Sequence, residues 1–354
     1  MTKHVIHRFG PEALQQEGLR EIPEVWEDGQ RVPPLPGFYE RWLFDACLSD
    51  GSILLITFYS KPLFDRREAL NPGVSISLVQ PDGKRIFEAV PLDPEDYSAS
   101  KERCYVRAGK SWVRGDANWS YELDVQTGSL GAHLNLTGLV PPWRPGTGTF
   151  VPDDQSRFFA WLAAVPHGTL EGVLTCNGKM RPVRGTCYHD HRWGSVELNK
   201  VFAQWHLGRT HLGEYTLIFL DITTSPEYGK EKIPAFFLAQ GSQVLAADSC
   251  PFELDEQEFI ADEGGRSYPK ILQGRWENPA ARGCKRIFFT LRDPSPLDSF
   301  SLVDFLPTWK RLTGGILTNP YNFTFSAGLE LEVDLEGRMI REEGRAVYEL
   351  ALLR

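Results

Sequence analysis

The chain has 354 residues, a net charge of −9 from 38 Lys and Arg against 47 Asp and Glu, and a hydrophobic content of 42%. That length holds one large domain or two ordinary ones, with a core that needs no disulfide staples. The acidic balance argues against a nucleic-acid partner, which would draw on clustered Lys and Arg, and the longest tidy apolar run, ILLITFY at 53–59, is too short to span a bilayer.

The amino terminus, MTKHVIHRFGPEALQQ, lacks the apolar stretch of a signal peptide. A cytoplasmic protein with reduced thiols is expected. The cysteines at 47, 104, 176, 187, 250 and 284 form no CxxC pair, so zinc-ribbon and thioredoxin readings have no support. The sequons at Asn118, Asn135 and Asn322 are then chance matches, since glycosylation requires secretion.

Residues 1–30 read as an N-terminal extension, with PEALQQEGLREI at 11–22 as a short helix. From residue 38, short strands alternate with turn signals. FYERWLFDACLS precedes the turn DGS and then ILLITFYS; VSISLVQ precedes PDGK and RIFEAV. SWVRG, NWSYELDVQ, GAHLNLTGLV, RFFAWLAAV, TLEGVLTC and RPVRGTCYH continue the series, the last two joined by NGK. VPPWRPGTGTFVPDDQSR, at 140–157, has the Pro and Gly content of a long inter-strand loop or a lid. Beyond 195 the texture resumes with KVFAQWHLGR, EYTLIFLDITT, IPAFFLAQ and YPKILQGRW. KRIFFTLRD, TFSAGLELEVDL and a closing run at 339–353 follow, the last two joined by LEGR. About twenty short antiparallel strands exceed one small barrel. The expected fold is all-β, with two tandem antiparallel β-barrel or sandwich domains at 31–190 and 191–354.

Chemistry concentrates in GTCYHDHRWG, residues 185–194. On an extended strand, His189, His191 and Trp193 share one face, and Tyr188, Asp190 and Arg192 the other. Histidines at i and i+2 can chelate a metal, with His206, His211 or Glu197 as further ligands. Asp190 could serve as an acid, if burial raises its pKa, while Arg192 beside it would favour the carboxylate. The plain alternative is that these groups hydrogen-bond for architecture alone. Cys187 and His189 also share a face, but a cysteine in a β-protein is more often a small buried apolar residue. Trp42, Trp161 and Trp205 lie in strand-like runs, as core packing or as the wall of an apolar pocket.

FFAWLAAVPHGTLEGVLTCNGKMRPVRGTCYHDHRWG, residues 158–194, resembles the signature of the carotenoid 1,2-hydratase (hydroxyneurosporene synthase) and AttH-like group, which fungal lipocalin-like Diels–Alderases share. The matching positions are Trp161, Pro166, Glu171–Gly172, Asn177–Gly178, Gly185, Tyr188, Asp190 and Trp193–Gly194. ERWLFDACLSDGS at 40–52 is similar to the family's early strand, and residues 344–350, with Gly344 and Tyr348–Glu349, to its closing one. The chain departs at Arg192, where the family has Asn, and at Cys187, where it has Gly. His191 leans toward the hydratase side of the group.

The resemblance implies two tandem lipocalin-like β-domains that bind a hydrophobic substrate: a polyene, terpenoid or polyketide. It implies a cofactor-independent, metal-free hydratase or cyclase in which Asp190 protonates a C=C bond, assisted by His189 or His191. Trp42, Trp161, Tyr188, Arg192, Trp193 and Trp205 would contact substrate, the tryptophans stabilising a cation through their π-faces. Two rivals stand beside it: a pericyclase that folds a polyene into a reactive shape with Arg192 donating a hydrogen bond, and a lipid carrier without catalysis. No nucleic acid and no transmembrane anchor is expected, though transient membrane contact is compatible with such a substrate.

Overall fold

The structure is a computed structural model that describes residues 3–62, 68–152, 157–247, 252–281, 283–301 and 320–354. The chain forms two tandem lipocalin-like β-domains, each a curled antiparallel sheet. One unit is Arg8–Val196; the other is Glu197–Arg354 together with the first residues up to His7. Among the described residues, no helix is long and apolar enough to cross a membrane.

In the first unit the sheet runs, in spatial order, Arg85–Pro91, Gly73–Val79, Ile53–Tyr59, Tyr39–Leu48, Lys179–Gly194, Phe159–Cys176, Leu130–Gly138, Ser120–Gln126, Ser111–Gly115, Tyr105–Ala108, Tyr97–Ala99. Alternation sets its inner face: Leu54, Ile56 and Phe58 point into a core with Trp42, Phe44, Leu123 and Val165. The edge strand Arg85–Pro91 is tied to the turn at 127–129 by one side chain. Glu88 accepts the backbone N–H of Ser129 at 2.8 Å and of Leu130 at 3.1 Å, and the hydroxyls of Thr127 and Ser129.

The middle of the sheet is the long hairpin Phe159–Cys176 and Lys179–Gly194. Its turn is Asn177–Gly178, both residues at positive φ, 50° and 74°, as a tight hairpin turn requires. RFFAWLAAV and TLEGVLTC, expected as separate strands, are one strand. Register shifts between Ala163 and Gly168 form an irregularity that accommodates Pro166, which cannot donate to the ladder. The helix expected over 11–22 is shorter, Pro11–Glu17, and stops at Gly18 in the left-handed conformation. The segment at 140–157 is not wholly loop: Thr149–Pro152 is a strand on Phe159–Ala160, and Trp143 bridges Ala163, while residues 153–156 lie outside those described.

The units meet in sequence at Val196–Glu197, so position 190, expected as the boundary, falls inside an unbroken strand. Residues 8–30 belong to the first unit, where Asp28 is buried at 1% exposure, rather than to an extension.

The second sheet runs Gln243–Ala246, Lys232–Gln240, Tyr215–Thr224, Phe202–Leu212, Arg338–Leu352, Tyr321–Leu335, Cys284–Ser301, Ser267–Glu277, Phe252–Ala261. Its core is aromatic, with Phe219, Phe236, Phe252, Trp276, Phe289 and Phe325. Gly208 faces Phe219, and Gly274 faces Phe289, across the ladder. In both pairs the ring lies over the glycine, in the space a Cβ would take.

Candidate active site on the central strand

The Lys179–Gly194 strand lies between Tyr39–Leu48 and Phe159–Cys176, hydrogen-bonded on both sides. Its side chains alternate between two buried clusters of different chemistry.

On the inner face, His189 lies opposite Phe44 and His191 opposite Trp42. Each ring stacks on its neighbour, with centroids 3.8 Å apart for His189–Phe44 and 4.6 Å for His191–Trp42. His189 Nδ1 lies 2.9 Å from the Leu43 carbonyl and Nε2 3.1 Å from Asp28 Oδ2. His191 Nε2 lies 2.9 Å from Glu40 Oε1, which also accepts the Arg31 backbone N–H. Burial pushes Glu40 well up and His191 well down, so both are drawn toward their neutral forms. Tyr121 donates its hydroxyl to Asp28 Oδ2 at 2.7 Å, and the Trp42 indole donates to the Asp28 carbonyl at 2.8 Å. Burial, then the charge of Asp28, pushes the Cys104 thiol well up.

Asp28 ends a 3-10 turn, Val25–Asp28, fixed by a capping box in which the Glu27 carboxylate accepts the Glu24 N–H. Glu27 also takes the guanidinium of Arg144, Nε to Oε2 at 2.6 Å, in a pair almost wholly buried. Arg144 donates in addition to the carbonyls of Arg20 and Gly146.

On the opposite face, Asp190 is fully buried and its Oδ2 is a shared acceptor. Arg192 reaches it with Nε at 2.9 Å and Nη2 at 2.6 Å, the Tyr188 hydroxyl at 3.1 Å, and the Trp161 indole N–H at 3.3 Å. Trp143 stands edge-on to Trp161 with centroids 5.3 Å apart. A guanidinium and neutral donors converging on one oxygen favour the ionised carboxylate.

Of the residues expected to act together, the structure therefore gathers Asp190, Tyr188, Arg192 and Trp161. It sets His189, His191 and Trp42 on the other face, with Trp193 tilted against His191. Trp205 lies in the second unit, opposite Ile222 and Ala351 in register. His206, His211 and Glu197, expected as further metal ligands, are there too, at Glu256, Thr216 and Lys200 respectively. Asp28, Glu27, Glu40, Cys104, Tyr121, Trp143 and Arg144 were not singled out from the sequence. Acidic residues and arginines default to the surface, and only the run VWEDG after a proline hints at a capped turn. Two open clefts, of about 490 and 660 Å³, have no residue of the Asp190 cluster in their linings.

Among curated proteins, the chain is similar to the Diels-Alderase pyiF of Pyricularia grisea, 22% identical over 205 residues, which is 52% of this chain and 47% of that protein. The chain thus spans about half the length of the curated relatives it matches. Among solved structures, the AttH-type protein NE1406 of Nitrosomonas europaea has a TM-score of 0.64 at 14% identity, covering 95% of this chain and 98% of that one. Kievitone hydratase of Nectria haematococca has a TM-score of 0.53 at 11% identity, covering 99% and 98%. These structures share the fold. The Diels-Alderase-like family model matches residues 36–263, more than half of the sequence, and the chain belongs to that family.

Proposed function

We propose that the protein is a cofactor-independent cyclase or hydratase acting at a C=C bond of a hydrophobic polyene or terpenoid-like substrate, with the Asp190 face as its reaction site. One observation carries this reading: a buried carboxylate that collects Arg192, Tyr188 and Trp161 on one oxygen, beside the apolar Trp143. Donors fixed in advance cost no reorganisation during reaction.

The pairing with Arg192 weighs toward ring closure. An ionised Asp190 is a poor proton donor, whereas a fixed carboxylate–guanidinium pair is a good polar anchor. It orients the carbonyl or hydroxyl end of a flexible polyene while Trp143 and Trp161 fold its chain into a reactive conformer. The relative pyiF, named a Diels-Alderase, supports this course. Hydration or proton-initiated cyclisation through Asp190 is the second reading, favoured by the Trp161 indole, which donates its N–H to Asp190 and brings to the site a ring whose π-face can steady a cation.

Turnover of candidate polyenes in deuterated water separates the two. Deuterium on carbon in the product means protonation; its absence means a cycloaddition. Asp190→Asn should abolish turnover in either case with circular dichroism unchanged. Full turnover in that variant sinks the site. A co-purified apolar ligand that stays unchanged through long incubation would mark a carrier instead of an enzyme.

A further inference from the structure

The inner face of the same strand carries a second set of groups that the reaction at Asp190 does not use. Asp28, Cys104 and His189 come from three separate parts of the first unit: the 3-10 turn, the segment before Tyr105–Ala108, and the central strand. One donor atom from each lies within 4.8 Å of the others, and all three residues are buried. A tetrahedral zinc with bonds of about 2.0–2.3 Å sets its donors roughly 3.3–3.8 Å apart, so closing on an ion asks for about 1 Å of side-chain movement.

The hydrogen bonds orient these donors. The Leu43 carbonyl can only accept, so His189 Nδ1 carries the proton there and Nε2 is turned to Asp28. A backbone carbonyl holding one imidazole nitrogen while the other faces inward is the support that metal-bound histidines receive. Tyr121 secures Asp28 Oδ2, while Asp28 Oδ1 is buried and has no hydrogen-bond partner among the described residues. His191 Nδ1, likewise buried and without one, lies 3.5 Å from that oxygen. A cation between these groups would pair that buried oxygen and replace the contact between the Cys104 thiol and Asp28.

We propose that Asp28, Cys104 and His189 form a buried structural site for a zinc-class divalent ion, with His191 at its margin. The thiolate, imidazole and carboxylate set suits zinc or cobalt and not magnesium or calcium, which take oxygen ligands. On binding, the Cys104 S–H bond is replaced by a sulfur–metal bond and its proton passes to solvent. Phe44 and Tyr121 wall the site against His189, and the strand separates it from Asp190. The ion would tie the turn at 25–28 to the central strand.

The test uses the full chain, refolded with excess zinc or cobalt and then gel-filtered. Elemental analysis should find about one ion per chain, and the cobalt form should show a thiolate-to-metal charge-transfer band. Cys104→Ser should lose the band and retain at least tenfold less metal; Cys187→Ser, which replaces a thiol that donates a hydrogen bond to the Thr169 carbonyl, should keep both. Wild-type chain that emerges without metal overturns the proposal. So does a Cys104→Ser chain that binds as wild type does. If circular dichroism shows Cys104→Ser misfolded, the wild-type and Cys187→Ser cobalt spectra decide: the band in both supports the site, and its absence from either refutes it.

Discussion

Replacing Arg192 with leucine tests the electrostatic reading of the site most directly. Arg192 supplies two of the four hydrogen bonds that reach Asp190 Oδ2 among the described residues. Both are charge-assisted, each of about 1.5–3 kcal/mol. Their loss leaves a fully buried carboxylate that keeps the hydrogen bonds from Tyr188 and Trp161. Removing one partner of a buried pair typically costs about 3–5 kcal/mol, most of it the burden of the stranded charge. Arg192→Leu should therefore destabilise the protein by about 4 kcal/mol. The double variant Asp190→Asn/Arg192→Leu has no stranded charge and should recover about 2 kcal/mol of that loss. Guanidinium unfolding of the wild type, both single variants and the double variant gives the coupling. Strictly additive effects, or a cost below about 1 kcal/mol for Arg192→Leu, would refute the claim that the pair is an ionised anchor.

Other outcomes follow from the same structure. Arg144→Met strands the buried Glu27 carboxylate and should cost about 3–5 kcal/mol in chemical denaturation; a change within about 0.5 kcal/mol would mean the turn at 25–28 does not depend on it. Gly208→Ala puts a methyl into the ring of Phe219 and should lower stability by about 1–3 kcal/mol, read as a fall in thermal midpoint; an unchanged midpoint would show the ring can move aside. The pKa of Glu88 is raised by burial, but hydrogen bonds from Ser129, Thr127 and Leu130 outweigh it and carry it down to about 2. A depressed carboxylate contributes stability that is present above its ordinary value of 4.5 and lost as pH falls toward about 2. Glu88→Gln should flatten the acid limb of the stability profile in that window and leave it parallel to wild type above about pH 6; an identical acid limb would contradict the assignment.

The all-β architecture was legible because its signals are local. Asn177–Gly178 and Glu336–Gly337 both occupy left-handed conformations at hairpin turns, which Asn and Gly favour; Glu336 takes that conformation beside a glycine. The two faces of 188–193 followed from a period of two alone. Strand lengths were not legible, because proline ends a strand unless a bulge or a position with no ladder bond to donate takes it up. Pro166 sits in one such irregularity, and Pro294 and Pro296 lie at others inside Cys284–Ser301. The polar half of each cluster depends on long-range placement. Asp28 lies 161 positions from His189, and Glu27 117 from Arg144. No spacing rule reaches so far. The likeness of residues 158–194 to a known signature made Asp190 stand out; it gave no indication of the carboxylates behind the histidines.

The alternation of the central strand also sets how this protein can change. Positions 188, 190 and 192 present their side chains to one layer, and 189 and 191 to another, with backbone ladders holding both neighbours in place. Substitutions at the even positions change the Asp190 layer and leave in place the stacking that the odd positions share with Trp42 and Phe44. Arg192, where the chain leaves its family's pattern, is such a position. A library at 188 and 192 would have to carry Asp190 with it, since a carboxylate left without its guanidinium costs the fold stability. A single-residue deletion just before 188 would exchange the two layers and lose both.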